Sequence, residues 1–147
     1  GEVCHFIDYA IFLTESKIIS HSSKRLISDN SSLNNTDNLH INLIFEDGSV
    51  ATIIYCNDGS TVLSKEYIEI HAESKSVVID DFYKSTLYDN GKKFKLNNRG
   101  QDKGYSNQIN QFFHAINNKN TQLIGLEDIL HGMDITLSID EKINKNE

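Results

Sequence analysis

Apolar residues follow a helical spacing at the two ends of the chain and an alternating spacing in between. Near the start, the apolar positions recur at intervals of three and four residues: Val3, Phe6, Ile7, Ala10 and Leu13. Residues three and four apart share one face of a helix. The opposite face carries four polar or titratable side chains: Glu2, His5, Asp8 and Tyr9. This pattern predicts an amphipathic helix with one face buried and the other available for chemistry.

Short apolar stretches separated by turn-forming residues fill the middle of the chain. They predict a succession of about six or seven strands, over residues 17–27, 39–45, 50–55, 66–71, 77–79, 82–88 and 93–96. The clearest hairpin joins 39–45 to 50–55, because alternating apolar residues flank the turn sequence Asp47-Gly48-Ser49. Residues 28–38 are almost wholly turn formers and predict a long loop.

From Ser106 onward the apolar spacing becomes helical again, which predicts two terminal helices. A block of strands with helices at either end is typical of an α+β fold. We therefore expect residues 1–147 to form a single domain with an open, largely antiparallel or mixed sheet of about six strands and helices on one face. The other sheet face is expected to be solvated or covered by a partner, such as a second copy in a homo-oligomer.

Composition and charge narrow the function. The 147 residues are 38% hydrophobic, and no apolar run approaches the roughly 20 residues that cross a bilayer. We therefore expect no membrane partner. The net charge of -7 repels a phosphate backbone, so we also expect no nucleic-acid partner. Cys4 and Cys56 lack Cys-x-x-Cys or zinc-type spacing, which predicts reduced thiols in a cytoplasmic protein. A small polar ligand or another protein is the expected partner.

His5 is the strongest candidate for chemistry, because an imidazole exchanges protons near neutral pH. Glu2 and Asp8 lie three residues to either side, where either carboxylate would fix its tautomer. The alternative is a surface histidine paired with those carboxylates and without a catalytic role. Since the chain begins with Gly1 at the polar end of this predicted helix, and not with Met, we expect a piece of a larger protein.

The polar segment from Arg99 to Tyr105 lies between the last predicted strand and the next helix, a common location for binding residues. Arg99 or Lys103 would hold a ligand hydroxyl or phosphate, and Tyr105 is a further candidate for substrate binding. The alternative is an ordinary loop in which Asp102 or Ser106 caps the helix. The remaining histidines share no ligand spacing, so no metal site is expected, and no dinucleotide-binding fingerprint or P-loop occurs.

Three segments resemble the Gfo/Idh/MocA oxidoreductases, the family of glucose-fructose oxidoreductase and inositol dehydrogenase. Gly1–Asp8 is similar to the family pattern Asp-x-Gly-x-His-x-x-Asp around a catalytic histidine, with Gly1 and Val3 in place of its first Asp and its Gly. Phe45–Ile53 resembles a hairpin of that family. Gln101–Tyr105, with the residues that follow it, is similar to the family's loop and penultimate helix: Gln108, Phe112, Ala115 and Ile116.

The resemblance implies that this chain is the C-terminal domain, which supplies substrate contacts and oligomer interfaces. A Rossmann domain elsewhere in the protein would bind NAD or NADP, so no cofactor is expected on this chain itself. Hydride would pass between the nicotinamide and a carbon bearing a hydroxyl, on a sugar, cyclitol or sugar derivative. His5 would match the residue that moves the hydroxyl proton or polarises the carbonyl, and Glu2 is a candidate substrate-binding residue beside it.

Two hypotheses therefore remain open at this point. In the first, the chain is the substrate domain of an NAD(P)-dependent oxidoreductase and is inactive in isolation. In the second, it is a noncatalytic carbohydrate-binding or dimerisation module, and His5 is a surface residue.

Overall fold

The computed structural model describes residues 2–25, 38–57, 59–97, 100–118 and 124–145. A first helix, α1 (Val3–Thr14), is followed by seven strands and two helices. In chain order these are β1 (Ile18–Arg25), β2 (Leu39–Phe45), β3 (Val50–Tyr55), β4 (Tyr67–Ala72), β5 (Lys75–Asp80), β6 (Lys84–Asp89), β7 (Lys92–Asn97), α2 (Tyr105–Asn118) and α3 (Leu126–Lys145). The loop predicted over residues 28–38 lies outside the described residues, except for Asn38. The predicted α+β fold is confirmed.

The strands form two antiparallel sheets rather than one. β1, β2 and β3 make a three-stranded sheet, and β4 to β7 make a four-stranded meander. In the part of the chain that the structure describes, β3 and β4 do not pair. The sequence did not predict this division, because an alternating pattern indicates a strand but does not specify which strand it pairs with. The chain divides accordingly into two compact units, Gly1–Asp58 with Ile124–Glu147, and Gly59–Leu123. The expectation of one domain over 1–147 stays a prediction.

The first unit contains the hydrophobic core. The helices α1 and α3 pack on each other and on one face of the three-stranded sheet. Alternation along β2 sends every second side chain into this core, as the sequence predicted, while Ile44 points outward. The buried apolar side chains of the core are Val3, Ile7, Ala10, Ile11, Ile18, Ile41, Leu43, Phe45, Ile139 and Ile143.

α1 ends at Thr14, and Glu15 caps its C-terminus. Glu15 adopts a left-handed conformation with φ 50°, and its N–H donates to the Ile11 carbonyl oxygen. The chain then enters β1, whose Ile18 N–H donates to His131 Nε2 on α3 over 2.9 Å. His131 is thus used for packing α3 against β1.

The second unit is a meander of short hairpins. Two two-residue turns have positive φ at both positions, Glu73-Ser74 and Asn90-Gly91. Such turns match the right-handed twist of the flanking strands. Asp81 and Phe82 also have positive φ, within the three-residue connection between β5 and β6. The register places seven apolar side chains on one face of this sheet, all half-buried or exposed: Ile68, Ile70, Val77, Ile79, Leu87, Phe94 and Leu96. α2 has no buried side chain.

Among the described residues, no helix is both long and apolar enough to cross a membrane.

Candidate functional site

His5 lies in the first turn of α1, on the exposed face that the sequence predicted. Its backbone N–H donates to the Glu2 carbonyl oxygen over 3.1 Å, which closes that turn. Within the described residues, no hydrogen bond or ion pair involves the imidazole. The ring is therefore exposed and available to a ligand, and the expected contact with Glu2 or Asp8 is not made.

The Glu2 carboxylate is directed toward a strand. Tyr55, the last residue of β3, donates its phenol O–H to Glu2 Oε2 over 3.2 Å. Tyr55 lies on the same face of β3 as Ala51 and Ile53, and all three pack against the core. Tyr55 was not predicted as a site residue. The period of two along β3 could have identified it, because it places Tyr55 on the face covered by the helices.

Lys103 forms an ion pair in the second unit. Its Nζ donates to Glu66 Oε1 over 2.7 Å, and the two side chains are 26% and 9% exposed. The hydrogen bond to the Glu66 carboxylate is the largest cause that raises the pKa of Lys103 above its ordinary value. Lys103 Nζ also lies 5.9 Å from the centre of the Phe82 ring, within range of a cation–π contact.

The segment that carries Lys103 is tied to the turn between β5 and β6. Gln101 Nε2 donates to the Asp81 backbone oxygen over 3.1 Å and to Asp81 Oδ1 over 2.8 Å. The Asp102 N–H donates to the Phe82 carbonyl oxygen over 3.3 Å. Hydrogen bonding with the Glu66 carboxyl is the largest cause that lowers the pKa of Asp81. Glu66 and Asp81 were not predicted from the sequence, because they lie 37 and 20 positions from their partners Lys103 and Gln101.

Asp102 forms a turn just before α2, and its side-chain hydrogen bond does not go to an N–H of the helix itself. Asp102 Oδ1 accepts the Gly104 N–H over 2.9 Å, and the Gly104 carbonyl oxygen accepts the Gln108 N–H. Gly104, with φ 79°, provides the left-handed conformation just before α2 begins at Tyr105. Tyr105 itself is 67% exposed.

The predicted site residues thus lie in two groups. Glu2 and His5 belong to the first unit, and Lys103 and Tyr105 to the second. Arg99 lies outside the described residues. In the ranges that the structure describes, no three His, Cys, Asp or Glu side chains are arranged to hold a metal ion.

Comparison with known proteins gives matches in structure alone. No family model matches the sequence, and no curated protein matches it. Among solved structures, a dehydrogenase (MviM) from Clostridium difficile has a TM-score of 0.79 and is 18% identical, and the match covers 97% of this chain and 46% of that chain. UDP-N-acetylglucosamine 3-dehydrogenase GnnA from Acidithiobacillus ferrooxidans has a TM-score of 0.76 and is 13% identical, with 95% of this chain and 45% of that chain covered.

A third structure is the aldose-aldose oxidoreductase from Caulobacter crescentus complexed with glycerol. Its TM-score is 0.76 at 14% identity, and the match covers 98% of this chain and 44% of that chain. The chain therefore spans less than half the length of the structures that it matches. These likenesses show the fold, which this chain shares with solved dehydrogenases and oxidoreductases.

Proposed function

We propose that this chain is the substrate-binding and oligomerisation part of an NAD(P)-dependent oxidoreductase. Its substrate class is a sugar, cyclitol or sugar derivative, oxidised or reduced at a hydroxyl or carbonyl group. The observation that carries this proposal is the match over 97% of the chain to a dehydrogenase of which it covers 46%. Two further matches are named as enzymes acting on a nucleotide sugar and on aldoses.

Cofactor binding is assigned to the rest of the protein. This sequence contains no Gly-x-Gly-x-x-Gly fingerprint, whose glycines let the backbone approach a pyrophosphate. NAD or NADP would therefore be held mainly by a Rossmann domain outside the present residues, and the chain alone would be inactive. A cytoplasmic location accords with the cysteines, since neither Cys4 nor Cys56 forms a disulfide within the described residues.

His5 is proposed as the group that moves the substrate proton. An acid or base must come within hydrogen-bonding reach of the substrate oxygen, and an exposed imidazole whose ring nitrogens are not engaged by the described residues meets that requirement. Glu2, held by Tyr55 one turn before His5, is proposed as a substrate contact. Lys103, Tyr105 and Arg99 are proposed as further substrate contacts.

Homo-oligomer formation through a sheet face is part of the same proposal. The four-stranded sheet carries seven apolar side chains on one face, and Leu96 on that face is 64% exposed. Contiguous apolar patches on soluble proteins commonly mark interaction surfaces. A second copy of the same sheet would bury this apolar face against its own counterpart.

Calorimetric titration of NAD and of NADP tests whether the cofactor binds outside the present residues. The complete protein should bind one of these nucleotides, whereas the 147-residue chain should bind neither. Micromolar binding to the isolated chain would overturn the assignment of the cofactor to another domain. A complete protein that binds neither nucleotide would favour the noncatalytic module instead.

A further inference from the structure

Glu66 is a charged side chain in an unusual position. It is 9% exposed, and carboxylates are rarely this buried unless they are paired. Oε1 accepts the Lys103 ammonium over 2.7 Å. Oε2 is buried and receives no N–H donor from the described residues, and the Asp81 carboxyl lies beside the Glu66 carboxyl. The Glu66 backbone oxygen accepts the Asp81 N–H over 2.7 Å, so this one residue joins the Lys103 segment to the turn between β5 and β6.

That turn is strained. Asp81 and Phe82 have φ of 48° and 56°, in the left-handed region that aspartate tolerates and bulky side chains rarely enter. Phe82 is a bulky residue for this conformation. Backbone strain of this kind persists where surrounding contacts fix it, and it collects at ligand-binding sites. Here the fixing contacts come from Glu66, Gln101 and Asp102.

Lys103 has capacity left for a ligand. An ammonium group carries three N–H donors. In the described part of the chain, Glu66 accepts one of them and no second acceptor is present. The Lys103 side chain is only partly covered, at 26% exposure, so the remaining donors have access to solvent. A lysine stem is flexible, and the ion pair with Glu66 holds the ammonium in one place.

The surrounding charge selects among ligands. The Glu66 and Asp81 carboxyls both act on the one ammonium of Lys103, so acidic groups outnumber the basic one. The N-terminal end of α2 adds a partial positive charge of about one half, which does not offset them. A phosphate or carboxylate is therefore disfavoured, whereas a neutral hydroxyl group accepts from Lys103 and donates to a carboxylate such as Asp81.

We propose that Lys103 and Asp81 form a subsite for a neutral vicinal diol, with Glu66 as the positioning residue that holds the Lys103 ammonium toward it. The choice of a polyol rests on the proposed function, which supplies the substrate class. The exclusion of anionic groups rests on the charges of the subsite itself. Phe82 provides an apolar surface beside the ammonium, suited to the C–H face of a sugar or cyclitol ring.

NMR titration of the 147-residue chain with myo-inositol tests the subsite, and inorganic phosphate is the contrasting probe. Amide signals of residues 100–105 should shift in a saturable manner with myo-inositol and should not do so with phosphate. Lys103→Met should weaken myo-inositol binding about tenfold or more, because a charged donor to the ligand is lost. Glu69→Gln removes an exposed carboxylate on β4 and serves as the matched control, with unchanged affinity.

Glu66→Gln separates positioning from folding. In this variant the pKa of Lys103, followed through its side-chain signals, should return toward the ordinary value while the dispersed amide spectrum shows an intact fold. Myo-inositol affinity should fall severalfold. If Glu66→Gln does not fold, the partly exposed Lys103→Met variant still decides whether the ammonium binds the ligand.

Three results would overturn the subsite: absence of saturable shifts with myo-inositol, equal or tighter binding of phosphate, or unchanged affinity in Lys103→Met. These results concern binding to the chain alone. The proposed function depends on turnover and cofactor binding by the complete protein, so the two can fail separately.

Discussion

His21 shows how one side chain responds to both burial and charge. It lies on β1 against α3, where its Nε2 is 3.1 Å from Ser138 Oγ and accepts from Lys142 Nζ over 3.4 Å. Its Nδ1 is buried and meets no partner among the described residues. Burial, followed by the Lys142 charge, lowers the pKa of His21 because both disfavour the imidazolium.

We predict that acid weakens the fold through His21. The unfolded chain takes up the proton near the ordinary pKa of about 6.5, whereas the folded chain takes it up only at lower pH. The stability contributed by neutral His21 is therefore complete above about pH 6.5 and is lost as the pH falls toward the lowered pKa of the folded state. NMR titration of the imidazole should give a midpoint below that of an unfolded peptide.

Replacing Lys142 by methionine should move the His21 midpoint upward, since one of the two causes is removed. Lys24→Met on the same strand is the control, because Lys24 lies on the exposed face of β1 and should leave the midpoint unchanged. A midpoint at or above the unfolded value in the wild type would contradict this explanation.

Individual site residues were predictable only where local spacing decides them. The exposed face of α1 with His5 followed from its period of three and four residues. The Glu66–Lys103 ion pair joins residues that are 37 positions apart, and no local pattern reports a contact of that separation. Lys103 was identified as a candidate from its polar segment, but its partner and the strained turn beneath it depend on tertiary structure.

At the level of elements, the three tight turns of the second sheet define its register. Gly91 has φ 72° and an added Cβ would meet nothing within 4 Å, so backbone strain alone decides the effect of a substitution there. Ser74 occupies the corresponding second turn position between β4 and β5 with φ 63°. The turn between β6 and β7 therefore has a glycine at this position, which avoids the cost of positive φ, whereas the turn between β4 and β5 has a serine, which does not.

We predict opposite effects for two substitutions in these turns. Gly91→Ala should destabilise the fold by about 1 kcal/mol, because a Cβ is costly at positive φ. Ser74→Gly should stabilise it by up to about 1 kcal/mol, because glycine removes that cost. Urea unfolding monitored by circular dichroism measures both changes. Equal effects of the two substitutions would show that φ is not the controlling quantity.

The sequence predicted the individual strands better than their assembly. Tyr67, Glu69 and His71 were expected opposite Ile68 and Ile70 on β4, and the structure has this alternation. The division into two sheets was not predicted. Periodicity records which face a residue occupies, whereas strand pairing depends on contacts between distant segments.

For the whole molecule, the proposed oligomer makes a direct prediction about the apolar face of the four-stranded sheet. Phe94 lies on that face opposite Leu87, whereas Lys95 lies on the other face. Sedimentation of the complete protein should show an oligomer that Phe94→Asp weakens, because the charge would have to be buried in the interface. Lys95→Asp should have little effect. A wild-type protein that remains monomeric at high concentration would contradict the interface.

The central claim is that His5 serves a dehydrogenase that acts on a sugar or polyol. The most direct measurement is formation of reduced nicotinamide by the complete protein, supplied with NAD or NADP and a panel of sugars and cyclitols, in wild type and in His5→Ala. We predict turnover of at least one such substrate by the wild type, and a loss of about a hundredfold or more in His5→Ala with cofactor affinity unchanged. His40→Ala, an exposed histidine on β2, should retain full activity. Unchanged turnover in His5→Ala would contradict the account.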